Sequence, residues 1–133
     1  MAISLINTIL DKPELKTMSP EKIEPILKRF SEHAAFAKLI YVVDLEGRKI
    51  TKNITQEKDT EKYKSLGLDF SDRQWFKEAI EKKEIAVSDF YISKIVNELC
   101  ITVSAPILSE VGETLGVFVI DINFDNLIKL VSQ

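Results

Sequence analysis

Four side chains in the second half of the chain could together grip a small charged molecule: Arg73, Trp75, Tyr91 and Asp121. A guanidinium presents a planar, two-pronged donor to a carboxylate, and no other side chain does this as well. Trp75 adds an apolar wall with one N–H donor, and Tyr91 a wall with a hydroxyl. Asp121 stands inside the run LGVFVIDINF, residues 115–124. A carboxylate buried there without a partner costs on the order of several kcal/mol, so it meets a cation, a donor or a ligand amine, or else ends its strand facing water. Arg73 is the candidate cation. The first turn of a helix is a poor place for a positive charge, which points to a specific partner. Each residue also has a plain structural reading: Trp75 and Phe76 as core, Arg73 as a solvated cation, Tyr91 as an ordinary strand aromatic.

These residues must be positioned by elements that the spacing of apolar residues outlines. Ile3, Leu5, Ile6, Ile9 and Leu10 make a short helical stripe that Pro13 and Thr17 interrupt. Ser19-Pro20-Glu21 reads as a helix start, with Ser19 as the cap and a proline at the first helical position. Ile23, Ile26, Leu27, Phe30, Ala34 and Ala37 continue it for four to five turns, with Pro25 as a possible kink. KLIYVVD and RKITKNI, separated by Glu46-Gly47, read as a hairpin, and the lysine-rich stretch 49–64 as a solvated loop. Residues 56–68 suit a mobile connection or a marginal helix. Ser71 and Gln74 fit a capping box ahead of a helix carrying Trp75, Phe76, Ala79 and Ile80. Residues 85–90, 99–107 and 115–124 read as strands, and Asp125 as the cap of a last helix, NLIKLVS. Along 99–107, Cys100, Thr102 and Ser104 share one face, and along 115–124 Asp121 shares a face with Val117 and Val119. The expected fold is α+β: a five-stranded antiparallel sheet with a long N-terminal helix on one face and a short helix and loops over the other.

The totals exclude several functions. At 133 residues, with 45% hydrophobic and 29% charged residues, the chain has the size and balance of one globular domain. Eighteen basic residues are interleaved with 21 acidic ones for a net charge of -3, so no face is built for a nucleic-acid backbone. One Cys and one His leave no disulfide framework, metal cluster or nucleophile–base pair. His33 reads as a surface residue, and Cys100 as a small core residue or part of a pocket lining. The apolar N-terminal run is too short to span a bilayer and lacks a basic leader, so the chain as written reads as cytoplasmic, or extracytoplasmic if it is a piece of a membrane receptor.

DRQWF, SDFYIS, LCITVSAPI and GVFVIDI, in that order, together with IYVVDLEGRKITKNI, resemble the Cache (PDC, extended PAS-like) sensor domains of bacterial chemoreceptors and sensor kinases. The resemblance covers roughly residues 19–133, leaving 1–18 as an N-terminal helix and linker to a single sensor module. It implies a small ligand, an organic acid or an amino acid, held without turnover or cofactor between the sheet and its covering loops. It further implies Arg73 and Trp75 on the ligand carboxylate, Asp121 on a ligand amine and Tyr91 as an aromatic donor, with Phe76, Asp89, Thr102 and Ser104 completing the ligand-binding set. Phe76 and Leu68 stand where the amino-acid-binding version carries tyrosines, so a simple carboxylate or a more apolar ligand fits equally. A homodimer through the N-terminal helices and a separate signalling output protein are the implied partners. The rival reading is a ligand-free adaptor of the same fold, its hollow filled by its own side chains.

Overall fold

The computed structural model describes residues 2–55, 67–92, 95 and 98–131. Three helices come first: α1 (Ala2–Leu10), α2 (Pro13–Lys16) and α3 (Pro20–Ser31). Strand β1 (Leu39–Asp44) follows, then α4 (Gln74–Lys82), the two-residue strands β2 (Ala86–Val87) and β3 (Tyr91–Ile92), the ten-residue strands β4 (Leu99–Leu108) and β5 (Thr114–Asn123), and α5 (Phe124–Val131). The sheet is antiparallel, in the order β1-β5-β4-β2, with β3 also on β4. Strands β4 and β5 form its centre, and both are buried on both faces, as strands covered on two sides must be.

Alternation along those strands divides the interior. Val103, Ala105 and Ile107 of β4 and Phe118, Ile120 and Ile122 of β5 meet Ile23, Ile26, Leu27 and Phe30 of α3. Phe30 and Phe118 touch edge to face, 5.4 Å between centroids. On the other face Val117 and Val119 meet Tyr41, Phe70 and the Trp75, Phe76 and Ala79 stripe of α4. The long helix and the short helix thus lie on opposite faces, as the sequence pattern indicated.

Local departures from expectation have identifiable causes. The third helix ends at Ser31, not near Ala37: the amides of His33, Ala34 and Ala37 each reach back three residues to Phe30, Ser31 and Ala34. Ala34, Phe36 and Ala37 remain buried in the same cluster, so the apolar spacing persists through a chain of turns. Pro25 sits inside the helix. The first helix stops at Leu10, ahead of Pro13 as expected, and Pro13 then opens α2, where Leu15 is fully buried. The stripe on α1 packs within its own chain, with Ile6 and Ile9 buried against the α3 cluster and Ile3 left exposed.

The return leg of the first hairpin is broken. Val43 pairs with Lys49 and Ile40 with Ile54 as isolated bridges, and between them the Thr51 hydroxyl accepts the Val42 amide at 3.1 Å, doing the work of a ladder carbonyl. Lys49, read as a solvated residue, is only 2% exposed; its ammonium donates to the Thr51 carbonyl and lies 5.6 Å from the centre of the Tyr41 ring. Burial pulls its pKa down to about 8, against the pull of Glu24. Residues 56–66, expected as part of a mobile connection or marginal helix, lie outside the described residues, as do residues 93, 94, 96 and 97. At the far end Asn123, not Asp125, caps α5: its side-chain oxygen accepts the Asn126 amide at 2.8 Å.

Candidate functional site

The segment leading into α4 sets the position of Arg73. Gly47, in the turn after β1, has φ +86° and lies so close to Ser71 that a Cβ there would stand 2.7 Å from the Ser71 amide nitrogen. Its carbonyl accepts the Phe70 amide at 2.7 Å, which fastens the hairpin turn to the helix entry. The expected capping box does not form. Ser71 instead bonds to the Asp69 carboxylate through its amide, residues 71–72 make a turn, and Arg73 itself occupies the N-cap with extended backbone. Arg73 is therefore one step outside the first helical turn, and its side chain makes no capping bond.

From there the guanidinium lies over the ring of Tyr91, 5.2 Å from its centre, as a cation on an aromatic face. Its Nε is buried with no hydrogen-bond partner among the described residues, and the same holds for the indole Nε1 of Trp75. Both residues line a cavity of about 370 Å3, closed on the other side by Ser88, Asp89, Phe90 and Tyr91. The expected strand 85–90 breaks here: β2 ends at Val87 and β3 begins at Tyr91, and the intervening segment forms the cavity wall. Ser88 holds that wall to β4, exchanging bonds with Thr102 through its amide (2.9 Å) and its hydroxyl (2.8 Å).

Asp121 lies in the layer beneath. It is 1% exposed and does not line the cavity. Thr102, directly opposite on β4, donates to one of its oxygens at 2.9 Å, and Tyr41, diagonal on β1, to the other at 3.4 Å. Burial drives its pKa up from 3.8 to about 7, opposed by those two hydrogen bonds and by the charge of Arg73. The Tyr91 hydroxyl bonds to the Thr102 hydroxyl, so a chain of contacts runs from Arg73 over Tyr91 and Thr102 to Asp121 and Tyr41. Burial and the Asp121 charge raise the pKa of both tyrosines, and burial pushes the Cys100 thiol up to about 12, leaving it a protonated core group.

Of the candidate residues, Arg73, Trp75, Asp89 and Tyr91 thus line one cavity. Phe76 is buried in the aromatic cluster, 6.4 Å from Trp75. Ser104 donates to the Trp75 carbonyl at 3.1 Å and pins the start of α4 to β4. Thr102 and Asp121 form the floor's underside. Sequence reasoning missed Tyr41, Ser88 and Glu78, the last an acidic residue of α4 that also lines the cavity. A tyrosine in the middle of a buried strand was the available signal for the first, because its hydroxyl needs a partner there.

Comparison with known proteins agrees with this architecture. Residues 23–129 match the family described as methyl-accepting chemotaxis protein-like, first PDC sensor domain. The chain belongs to this family of sensor domains. The ligand-binding domain of the Campylobacter jejuni chemoreceptor Tlp3, solved in complex with 4-methylisoleucine, superposes with a TM-score of 0.71 at 25% identity, covering 98% of this chain and 51% of that one. The ligand-binding domain of the Pseudomonas fluorescens chemoreceptor CtaA in complex with L-leucine shares the fold with a TM-score of 0.72 at 18% identity, over 96% of this chain and 51% of that one. A curated protein of Syntrophus aciditrophicus, named Citrate (Re)-synthase, is 42% identical over 130 residues, which is 96% of this chain and 21% of that protein. The chain therefore spans about half of the receptor domains and a fifth of the curated relative. No helix among the described residues is long and apolar enough to cross a membrane.

Proposed function

We propose that this sensor domain holds a small carboxylate-bearing metabolite in the cavity between α4 and the 88–91 segment, without turning it over. The observation that carries the reading is that Arg73 and Trp75, whose Nε and Nε1 are buried donors without a partner among the described residues, both line one cavity of about 370 Å3. Buried donors without acceptors are rare in native proteins, and a carboxylate supplies the acceptors they lack. The Tyr91 ring, 5.2 Å from the guanidinium, supports it as a cation on an aromatic face. If the ligand carries an amine, Asp89 on the cavity wall receives it, because Asp121 is already engaged by Thr102 and Tyr41. The amino acid bound by the Tlp3 domain makes a branched aliphatic amino acid one of the candidates, beside simple organic acids. Among the described residues the lining gives turnover no support: Ser88, the one hydroxyl there besides Tyr91, donates to the Asp89 carbonyl and accepts the Thr102 amide, with no described histidine or cysteine beside it.

A thermal-shift screen against amino acids and short organic acids tests this. A ligand at 100 times its Kd adds about 2.7 kcal/mol, which raises Tm by several degrees. Arg73→Ala is expected to abolish the shift while leaving the fold intact. A blank screen with a silent Arg73→Ala would favour the adaptor reading instead.

The Syntrophus relative favours a second reading of the output. There the same module forms a fifth of a protein named for citrate synthesis, which supports a role as a sensing appendage that works in the cytoplasm, attached to or associated with an enzyme of carboxylate metabolism. The detected molecule is the same in kind; the receiver differs. Activity of such a partner enzyme measured with and without the carboxylate, in wild type and Arg73→Ala, separates an enzyme receiver from a chemotaxis one.

A further inference from the structure

A second cavity lies on the other side of the sheet, between α1 and α3, and encloses about 220 Å3. Its lining divides by chemistry. Leu5, Ile9, Ile26 and Phe30 supply hydrocarbon walls, while the exposed Lys12, Arg29 and His33 bring basic groups to the same hollow. Among the described residues no carboxylate joins the lining, in a chain whose net charge is -3. Ile9, Ile26 and Phe30 are buried and Leu5 is half-buried, while Lys12 and Arg29 stand exposed with their charges free to meet an anion. One kind of occupant matches both parts of this lining: a hydrocarbon tail ending in an anion.

We propose that this cavity binds a single-chain amphiphile with an anionic head, its tail between Ile9, Ile26 and Phe30 and its head facing Lys12 and Arg29. The space equals on the order of seven water volumes at about 30 Å3 each, which suits a tail of about eight carbons and is too small for a lipid surface. Binding would also fasten α1 to α3. At nine residues α1 is too short to persist without packing, so its attachment responds to whatever fills the cleft beside it. This site is independent of the Arg73 cavity, from which the whole sheet separates it.

The test uses octanoate below its micelle concentration on the Arg73→Ala protein, so that a carboxylate in the other cavity contributes nothing. At ten times its Kd, octanoate is expected to raise Tm by about 4 °C. Octanol should give a smaller shift and octylammonium none. The double variant Lys12→Glu/Arg29→Glu, altered only at exposed positions, should fold normally by circular dichroism and lose the octanoate shift. The proposal is overturned if octanoate gives no shift, if the shift survives the double charge reversal, or if vesicles containing phosphatidylglycerol bind the protein through Lys12 and Arg29 while octanoate does not.

Discussion

The two faces of the central sheet are built from different materials. Under α1 and α3, every buried member of the cluster is aliphatic or phenyl, and the buried Ser31 of α3 is satisfied within its own helix by the Lys28 carbonyl. Under α4, the same two strands turn Thr102, Ser104, Cys100 and Asp121 inward, and β1 adds Tyr41 with the Lys49 ammonium over its ring. Burying these groups is costly even when they are bonded, and each hydrogen bond returns about 1 kcal/mol. One face therefore supplies cohesion, while the other accepts a less favourable interior and holds, a layer above its carboxylate, the cavity with unpartnered donors. The contrast shows where stability and recognition reside in a sheet whose strands must serve both.

The sharpest way to break the contrast is to cut into the hydrocarbon side. Phe118→Ala removes the ring that meets Phe30 edge to face and leaves a void, with an expected loss of 3 to 5 kcal/mol, about the range for buried Phe truncations, in urea unfolding. Ligand affinity of the surviving folded fraction should be unchanged.

Asp121→Asn sharpens the other side through pH. The folded-state pKa of Asp121 is raised from 3.8 to about 7, so the native state keeps its proton where the unfolded chain has lost it. Its contribution to stability is present in full below about pH 4 and is lost as pH rises through 7, a change of on the order of 4 kcal/mol at most. The Asn variant lacks that slope. Unfolding free energies of both proteins between pH 4 and 8 should converge at the acid end relative to the neutral end, with the variant the more stable of the two at pH 8. Parallel profiles would mean that Asp121 is not buried as a titrating acid.

Gly47→Ala tests the link between the hairpin and the helix entry. Positive φ and a backbone clash with Ser71 both oppose the methyl, for a loss of about 1 to 3 kcal/mol together with weaker ligand binding, since the shift passes directly to Phe70 and Arg73. The smallest change in stability belongs to Arg73→Ala, within about 0.5 kcal/mol, because the residue is half-buried and, among the described residues, bonds only through its backbone and the Tyr91 ring.

Much of this was legible before any coordinates. Two-residue alternation along 99–107 grouped Thr102 with Ser104, and along 115–124 it set Asp121, Val117 and Val119 opposite Phe118 and Ile120, because a buried strand leaves the chain no freedom in parity. That the two sets share one face of the sheet follows from the register of Thr102 on Asp121. What failed to show were the positions set by tertiary bonds. Spacing alone could not reveal that helix α3 unwinds after Ser31, since Ala34 and Ala37 stay buried without being helical. The break at Ser88–Phe90 depends on Ser88 bonding across to Thr102, and the burial of Lys49 on a carbonyl and a ring from its own hairpin. At the site, the sequence pointed to Arg73, Trp75, Asp89 and Tyr91, which share the cavity; it could not foresee that Tyr41 and Thr102 would already occupy both oxygens of Asp121.

Trp75 is the chain's only tryptophan, so its indole N–H gives a single, unambiguous resonance in a 15N-correlated NMR spectrum. Titrating a short-chain carboxylate should move that resonance downfield as the free Nε1 acquires an acceptor, and the movement should vanish in Arg73→Ala. An indole resonance that stays fixed while a carboxylate binds, or that moves equally without Arg73, would contradict the assignment of this cavity to carboxylate recognition.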